Sequence, residues 1–536
     1  MQAVKRLYGE IKSKAQEAAS LGRALPALFR ERVTVQQAED AIKRALDRRD
    51  DNFLQLAKVR IYDSANSPYR KLLALAGCEF SDLQAQVRGH GIEAALGRLA
   101  AEGMYLTSDE FRGKREIVRG GRSLRVSPGD FAASESPAGF IVRSSGTGSY
   151  PASSHRTVDE LATGTFPVCV LYHAHHLLSH AHAVYDPILP ASGGVNNLLH
   201  NAQIGIATDR WFARKNPIHN RLEHGYYFLV TYLVVLMGKW LGPGFPRPEF
   251  LDAADVEPIL RWVSEKRAEG KSCCIRTTAS SAAKIARGAW ARGASLEETK
   301  FVVSGEPFTD SKHEIIKRVG ATTIPRYSFT GGGNVGLGCA NPLHTDEIHV
   351  NQHRLALISH PKPLAGEGPP IHPLLCTTLH PSASRFLLNV ENGDYATLET
   401  RDCGCALEKL GLTLHLHHIR SFEKFTSEGM NYFYGDLFEL LEKTLPSEFG
   451  GGPGDYQLVE EEDPNGQTRL TLIVHPQVGN VEEQKLVARL QETLGRGSRT
   501  NQFQSKIWQA AGTLRVRRAI PHASTRGKIQ PLHIPR

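Results

Sequence analysis

The segment FIVRSSGTGSYP, residues 140–151, carries the prediction of the fold. It joins a short apolar run to a loop of glycine and hydroxyl residues. Glycine lets a backbone approach a ligand closely and adopt positive φ, so such a loop can offer N–H groups and hydroxyls to phosphate oxygens. The loop has neither the Gly-Lys-Ser/Thr of a P-loop nor the GxGxxG of a dinucleotide-binding turn. Alone, it indicates either a phosphate-binding turn after a strand or a flexible surface turn.

The composition changes on both sides of this segment. Residues 1–115 are rich in Ala, Leu, Gln, Arg and Lys, which predicts a helical N-terminal segment packed on the core. Residues 116–423 alternate short apolar runs, Gly/Pro/Ser clusters and helical stretches, which predicts an α/β core domain. Residues 424–536 combine helix candidates with the strand candidate LTLIVHP and predict a separate small α+β domain.

The charge of the chain is concentrated at one end. Among 536 residues, 64 Lys and Arg against 56 Asp and Glu give a net charge of +8. Residues 513–536 hold six basic residues, including Lys528, and no acidic one, so this segment carries +6 and the rest of the chain +2. The excess is therefore a basic tail and gives little reason to expect a nucleic-acid partner.

Several features predict a cytoplasmic protein. The N-terminus shows no apolar run after its basic residues, so no secretory signal is expected. The run of about 12 apolar residues from Tyr226 to Met237 is shorter than the ~20 that a membrane span needs, and it predicts a buried core helix or strand. The eight cysteines are sparse and unevenly spaced, which argues against a disulfide framework.

Further short motifs follow the glycine loop: GEP at 305–307, YSFT at 327–330, ETRD at 399–402, IRSFEK at 419–424 and Gly527-Lys528. Their order resembles that of the adenylate-forming enzymes, the superfamily of acyl-CoA synthetases, peptide-synthetase adenylation domains and luciferases. The chain is most similar to the phenylacetate-CoA ligase-like branch, through SSGT followed by Pro151, LHxxExH at 343–349 and a C-terminal SxxGK. The resemblance covers roughly residues 130 to 536 and implies a large multi-subdomain α/β domain followed by a mobile C-terminal lid.

The resemblance also implies residue roles. Ser144, Ser145, Gly146 and Thr147 would hold the ATP phosphates, and Lys528 would bridge the acid and the α-phosphate. Gly305, Glu306 and Pro307 would line the adenine pocket, with Tyr327 stacking on the base and Thr330 beside it. Asp402 would bind the ribose hydroxyls, Arg420 would bind the ribose or phosphate, and Glu423 would be the hinge.

Two positions depart from the family pattern. The family has a Glu that helps to hold Mg²⁺ four residues after the tyrosine, where this chain has Gly331 in a run of three glycines. Asp346 or Glu347 is expected to supply the carboxylate instead, and Glu347 joins Thr147 and Lys528 as a predicted catalytic residue. The phosphate loop reads SSGTGSYP in place of SSGTTGxP.

Cysteine and histidine residues suggest a zinc site. Cys403 and Cys405 follow the presumed ribose carboxylate, and Cys339 lies ten residues before His349. Three Cys and one His are a common tetrahedral set for structural zinc, although His344 competes with His349, and small buried thiols are the alternative. A second histidine-rich stretch, His173 to His182, predicts helix packing or pocket lining rather than metal binding.

These observations predict an ATP- and Mg²⁺-dependent ligase that activates a carboxylic acid, aryl or fatty, as acyl-AMP and transfers it to coenzyme A. The acceptor could instead be an acyl-carrier protein or an amine, and a weakened nucleotide-binding homologue is the alternative that Gly331 supports. The oligomeric state is left open, with a homodimer among the options.

Overall fold

The computed structural model describes residues 19–20, 22–113, 115–132, 139–143, 153–189, 191–214, 221–252, 255–305, 307–329, 331–361, 372–421, 426–427, 430–431, 438–462, 468–494, 514–523, 529 and 531–533.

The N-terminal segment is helical, as predicted. Its helices are α1 (Val35–Asp47), α2 (Arg49–Ala57), α3 (Pro68–Leu75), α4 (Phe80–His90), α5 (Ile92–Ala101) and α6 (Ser108–Phe111). Thr34 caps α1: its hydroxyl accepts from the N–H of Gln37, whose side chain bonds back to the Thr34 N–H. Phe53 and Leu96 are buried in one apolar cluster with Val350 and Leu374, so these helices pack on the core.

The remaining elements up to residue 421 build the core. They are β1 (Ile117–Arg119), β2 (Arg122–Leu124), β3 (Gly139–Arg143), β4 (Ser153–Thr157), α7 (Val158–Ala174), β5 (Ala181–Tyr185), α8 (Ser192–Ile204), β6 (Thr208–Arg214), α9 (Arg221–Leu241), β7 (Pro248–Leu251), α10 (Glu257–Ala268), β8 (Cys273–Thr278), α11 (Ala279–Trp290), β9 (Thr299–Ser304), α12 (Asp310–Lys317), β10 (Thr322–Phe329), β11 (Gly333–Gly338), β12 (Ile348–Val350), β13 (Leu355–Ser359), β14 (Pro373–Thr378), β15 (Val390–Thr400) and β16 (Leu414–Ser421).

Twelve of these strands form one sheet in the order β13-β14-β15-β16-β12-β11-β10-β9-β8-β5-β6-β7. The strands from β10 to β7 are parallel, and the strands from β10 to β13 are antiparallel. All six residues of β8 are buried, because Cys273 and Ile275 pack against one helical layer and Cys274 against the other. The predicted α/β fold class is confirmed.

The apolar run from Tyr226 to Met237 lies within helix α9, and the expectation that it is buried is correct for one side only. Tyr227, Val230 and Val234 are buried in an apolar cluster, whereas Leu229 is 68% exposed and Leu236 is 54% exposed. No helix in the described part of the chain is long and apolar enough to cross a membrane.

The C-terminal part has its own sheet. Small strands β17 (Thr426–Ser427) and β18 (Met430–Asn431) precede α13 (Leu445–Phe449), β19 (Tyr456–Glu462), β20 (Thr468–Val474), α14 (Glu483–Leu494), β21 (Leu514–Arg518) and β22 (Leu532–His533). The last four strands pair in the order β21-β20-β19-β22. Leu458, Leu472 and Leu490 share a separate apolar cluster, which is the expected α+β arrangement. The predicted domain boundary at residue 423 lies outside the described residues.

Buried polar contacts join the core to this C-terminal part. Lys312 Nζ lies 3.5 Å from Glu442 Oε1, and both side chains are buried. The same ammonium donates to the carbonyl of Pro307 at 3.3 Å and lies 5.5 Å from the ring centroid of Phe438. Arg287 pairs with Asp455 at 3.3 Å. The contact thus reaches directly from the C-terminal part to the GEP segment.

Close packing around a helical glycine gives a test of the fold. A Cβ at Gly194 in α8 would lie 2.5 Å from the ring of buried Trp211 and 2.7 Å from the carbonyl of Pro187. We expect Gly194→Ala to destabilise the protein by about 1–3 kcal/mol, measured as a lower Tm in thermal unfolding. Gly89→Ala in α4 is the matched control, since nothing lies within 4 Å of its Cβ position. Alanine there should leave Tm unchanged or raise it, and an equal loss in both variants would contradict the packing.

Candidate functional site

The carboxyl ends of neighbouring parallel strands meet at one edge of the central sheet. Strand β8 ends at Thr278, β9 ends at Ser304 and β10 ends at Phe329. Gly305 follows β9 with φ +86°, and this left-handed conformation, which glycine adopts without strain, turns the chain out of the sheet. In open α/β sheets, ligands bind in the crevice outside such strand ends. The GEP segment and Tyr327 therefore lie at the edge where a ligand is expected.

Several predicted site residues cannot be placed. Those outside the described residues are Ser144, Ser145, Gly146, Thr147, Glu306, Thr330, Glu423 and Lys528. For Arg420 the structure gives the backbone, which pairs with Tyr395 across β15 and β16. Their roles stay predictions.

Tyr327 is the centre of a polar cluster at this edge. Its hydroxyl donates to Asp394 Oδ2 at 2.5 Å and accepts from Asn392 Nδ2 at 2.7 Å. Burial of the hydroxyl, together with the charge of Asp394, raises the pKa of Tyr327 well above its usual value, so the group stays a neutral donor. The cluster fixes the direction of the tyrosine ring and holds a carboxylate beside it.

The structure separates the predicted ribose carboxylate from this tyrosine. Asp402 is exposed and follows Thr400, the last residue of β15, whereas Asp394 lies near the start of that strand. The six residues from Asp394 to Thr400 span about 20 Å of strand. The geometry therefore favours Asp394 over Asp402 as the acidic residue beside Tyr327.

Sequence reasoning did not select Asp394, although a signal was present. Asn392-Gly393-Asp394 interrupts a strand with three residues that disfavour strands. Gly393 has φ +86°, and the register of β15 against β16 shifts between Tyr395 and Thr397. Such an irregularity often re-aims a side chain next to a functional site.

The run of three glycines lies against a buried ion pair. Gly331 has φ +108° and Gly333 has φ +71°, so both take conformations that favour glycine. A Cβ at Gly333 would be 3.4 Å from Arg156 Nη1 and 3.4 Å from Glu160 Oε1. Arg156 and Glu160 form a salt bridge, and Glu160 Oε2 is buried without a hydrogen-bond partner in the described part of the chain. Glu160 thus places a carboxylate oxygen beside the loop where the family glutamate is missing.

Asp346 and Glu347, the two predicted substitutes for that glutamate, are engaged elsewhere. The carboxylate of Asp346 accepts from the N–H groups of His418 and Ile419 at 2.9 Å each. Glu347 is 1% exposed, pairs with Arg401 and accepts from two backbone N–H groups. Burial would raise the pKa of Glu347, but these donors outweigh it and lower the pKa. This geometry favours a structural role for both residues over a ligand for Mg²⁺.

Glu347 borders a cluster made of Cys339, His349, Cys403 and Cys405. One ligand atom from each residue lies within 4.8 Å of the others. His349 Nε2 is 3.2 Å from the sulfur of Cys405 and 3.6 Å from that of Cys403. In a tetrahedral zinc site the usual Zn–S and Zn–N lengths place sulfur and nitrogen about 3.6 Å apart. The four predicted ligands are therefore brought together at the spacing that zinc requires.

The orientation of His349 favours metal binding. Its Nδ1 lies 2.6 Å from the carbonyl of Leu412, which requires the proton on Nδ1 and leaves the lone pair of Nε2 directed at the sulfurs. Gly404 has φ +73°, which turns the chain so that Cys403 and Cys405 face the same point. The pKa of Cys405 is lowered, chiefly because the Cys339 thiol hydrogen-bonds its sulfur.

The other histidines are placed elsewhere. His344, the alternative zinc ligand, stacks on His417 with ring centroids 3.9 Å apart. In the stretch 173–182, His175 and His182 each hydrogen-bond a backbone carbonyl at 2.8 Å, and no group of three metal-ligating atoms among the described residues includes either. Packing is the role that this geometry supports for the second stretch.

Comparisons with known proteins were made by sequence and by structure. No family model and no curated protein matches the chain. By structure it is similar to 2-hydroxyisobutyryl-CoA ligase in the postadenylation state in complex with R3-HIB-AMP, with a TM-score of 0.51, 14% identity, and 95% of this chain and 91% of that chain covered.

Two further solved structures are more distant. O-succinylbenzoate coenzyme A synthetase from Bacillus subtilis, in complex with ATP and magnesium ion, gives a TM-score of 0.42 at 10% identity, covering 73% of this chain and 68% of that chain. Amide bond synthetase McbA from Marinactinospora thermotolerans gives a TM-score of 0.39 at 12% identity, covering 91% of this chain and 98% of that chain.

The near full-length likeness to the 2-hydroxyisobutyryl-CoA ligase shows the fold. The chain has the fold of the adenylate-forming enzymes, and the predicted architecture is confirmed at that level.

Proposed function

We propose that the protein activates a carboxylic acid with ATP as acyl-AMP and then transfers the acyl group to the thiol of coenzyme A. The observation that carries the proposal is the pairing of Tyr327 with Asp394 at the carboxyl edge of the parallel strands. Within this fold we place the chain in the phenylacetate-CoA ligase-like branch, on its sequence motifs, with an aryl or fatty acid as substrate.

The nucleotide would lie between the GEP segment and Tyr327. Gly305 and Pro307 follow β9, and Tyr327 lies on the neighbouring strand β10, so an adenine ring can lie between these segments. An ionised carboxylate only accepts hydrogen bonds, which suits the two hydroxyls of a ribose. In the proposal Asp394 takes this role, which the sequence motif had given to Asp402.

The chemical step moves charge onto phosphate oxygens. A carboxylate oxygen of the acid attacks the α-phosphorus, the bond from that phosphorus to the bridging oxygen of pyrophosphate breaks, and pyrophosphate leaves. Donors aimed at those oxygens stabilise the transition state. Ser144 to Thr147 and Lys528 are proposed for this task from the sequence motifs, and Glu423 for the hinge on which the lid turns before the thiol attacks.

Magnesium requires oxygen ligands, and Gly331 has no side-chain carboxylate to offer. The carboxylate of Glu160 fits the requirement, because its Oε1 lies 3.4 Å from the Cβ position of Gly333 and its Oε2 has no hydrogen-bond partner among the described residues. When bound, Mg²⁺ neutralises charge on the phosphates. We propose that Glu160 holds it in place of the family glutamate.

The first prediction concerns the activity. Purified protein with ATP, Mg²⁺ and a panel of aryl and fatty acids should catalyse acid-dependent exchange of labelled pyrophosphate into ATP, and hydroxylamine should trap the activated acid as a hydroxamate. Coenzyme A should be consumed with the preferred acid. The same assay with an acyl-carrier protein or an amine in place of coenzyme A, followed by identification of the acylated product, tests the two alternative acceptors.

A different result would favour another function. Measurable ATP binding with no exchange for any acid would indicate a nucleotide-binding homologue without the chemical step, which the glycine at position 331 would explain.

A pair of aspartate variants tests the site. Asp394→Ala should raise the KM for ATP and lower kcat/KM by about ten- to a hundredfold, because a hydrogen bond to a charged group contributes ~1.5–3 kcal/mol. Asp402→Ala is the matched control and should stay within about twofold, since Asp402 is exposed and lies beyond the end of β15. A larger loss of kcat/KM in Asp402→Ala than in Asp394→Ala would contradict this assignment and favour Asp402 as the ribose ligand.

We further propose that Cys339, His349, Cys403 and Cys405 bind one structural zinc ion. The donors fit zinc by type, number and spacing, and four protein ligands leave no open position for catalysis. The ion would tie the ends of β11 and β15 to β12. Arg401 and Glu347 support this cluster, because Arg401 contacts both Glu347 and the sulfur of Cys339.

Metal analysis tests this site. Protein purified without chelators should contain one zinc per chain, and His349→Ala should lower the content to near zero and lower Tm. Cys78→Ala is the control, because Cys78 is a buried cysteine of the N-terminal helices outside the cluster. Zinc that persists at one per chain in the His349→Ala variant would refute the assignment.

A further inference from the structure

A positively charged cleft lies between the N-terminal helices and the core, and none of the residues that line it belongs to the Tyr327 cluster. Its cavity volume is about 260 Å³, many times the ~10–15 Å³ that a single water needs. We call it the basic cleft. It is formed by α1, the start of α2, α7 and the segments around residues 353 and 380, and it is lined by Ala41, Ile42, Arg44, Ala45, Arg48, Asn52, Thr163, Phe166, His353, Arg354 and His380.

The cleft carries positive charge, and none of the described residues that line it is acidic. Arg44 and Arg48 form its exposed rim, and Arg354 lies deeper. The guanidinium of Arg354 has no hydrogen-bond partner in the described part of the chain. Burial lowers the pKa of Arg354 to about 10, and it remains charged at neutral pH. A partly buried cation without a partner is unfavourable unless an anion or water solvates it.

Two acidic residues near the cleft form salt bridges with arginines outside it. Glu160, the acid that acts on Arg354, forms a salt bridge with Arg156. Asp51, close to Arg48, pairs with Arg88. Neither lines the cavity, so the arginines that face it have no carboxylate among its lining residues.

His380 adds a directed donor. The backbone N–H of Ser382 donates to His380 Nδ1 at 3.2 Å, and the hydroxyl of Ser382 bonds both this nitrogen and Thr163 Oγ1. Burial, followed by the charge of Arg354, lowers the pKa of His380 to about 3, so the ring is neutral. With Nδ1 accepting, the proton is on Nε2, which is free to donate to a ligand.

His353 contributes a second polar group to the buried wall. It is 3% exposed, and its Nδ1 has no hydrogen-bond partner among the described residues. A buried polar atom of this kind is normally satisfied by a ligand or an ordered water. It lines the same cavity as His380 and Arg354.

The wall is held rigidly by the surrounding backbone. Arg49 donates to the carbonyl of Gln352 at 2.7 Å while pairing with Glu93. The N–H of Leu379 donates to the carbonyl of Arg354 at 2.9 Å, which links the two segments that carry the buried donors. A site whose donors are fixed before the ligand arrives loses little conformational entropy on binding.

We propose that the basic cleft binds a phosphate group. Three arginines and a neutral imidazole donor suit an anion with several acceptor oxygens and more than one charge, and guanidinium groups match phosphate geometry. The phosphate could be a free ion or part of a larger molecule such as coenzyme A, which carries a 3′-phosphate. The inference does not depend on the proposed activity, because no residue of the cleft belongs to the proposed nucleotide site.

Calorimetric titration of the full chain with inorganic phosphate tests the site, with saturating AMP present to fill the nucleotide site. We expect one phosphate to bind per chain. The double variant Arg44→Gln/Arg48→Gln should weaken binding at least tenfold. Because both rim side chains are exposed, it should fold normally, as an unchanged Tm would verify. Lys43→Gln is the matched control, an exposed residue of α1 outside the cavity, and should stay within twofold.

Two further arms identify the source of the phosphate. If coenzyme A loses affinity in the rim variant and dephospho-coenzyme A does not, the cleft holds the 3′-phosphate. If only inorganic phosphate is affected, it holds a free ion, and either result supports the proposal. Arg354→Gln should reproduce the weakening, and pyrophosphate exchange should not change in the rim variant. No binding by the unmodified protein, or equal binding by it and the rim variant, would show a water-filled cleft and overturn the proposal.

Discussion

The central sheet depends on one strand that changes the direction of its pairing. Strand β10 pairs in parallel with β9 over Thr322–Pro325 and antiparallel with β11 over Arg326–Phe329. It therefore joins a half covered by helices on both faces to an antiparallel half that holds the cysteine–histidine cluster. Tyr327 lies just after this change, where the register also shifts. A residue of the antiparallel half, Asp394, can reach Tyr327 only because this strand belongs to both.

Local features of the sequence predicted the elements well, whereas they did not reveal the contacts of Tyr327. The helices of residues 35–111 follow from propensity and capping, as at Thr34, and these effects act within a few residues. The contact of Tyr327 with Asp394, in contrast, joins residues that are 67 apart in the chain. A short motif containing Asp402 could not reveal that the sheet carries Asp394, rather than Asp402, to the tyrosine. Nor did the continuous apolar run from Tyr226 to Met237 show that one side of α9 is exposed.

The cysteine–histidine cluster also depends on contacts between residues that are far apart in the sequence. Residue types identified a zinc-like set from the sequence, but the choice between His344 and His349 depends on the carbonyl of Leu412, which is 63 residues from His349. Similarly, a carboxylate at Glu347 looked available for magnesium until the fold brought Arg401 against it. In both cases the side chain is engaged by a partner that is distant in the sequence.

The buried Lys312 of helix α12 couples the core to the C-terminal part. Lys312 contacts the carbonyl of Pro307 and the side chain of Glu442 with a single ammonium group. Any rotation of the C-terminal part must separate Lys312 from Glu442 and hydrate both charges, and the ammonium would then be held mainly by the Pro307 carbonyl. The segment that follows β9 is thus mechanically linked to the orientation of the C-terminal part. Together with the Arg287–Asp455 pair, Lys312 couples the edge of the sheet to the position of the C-terminal part.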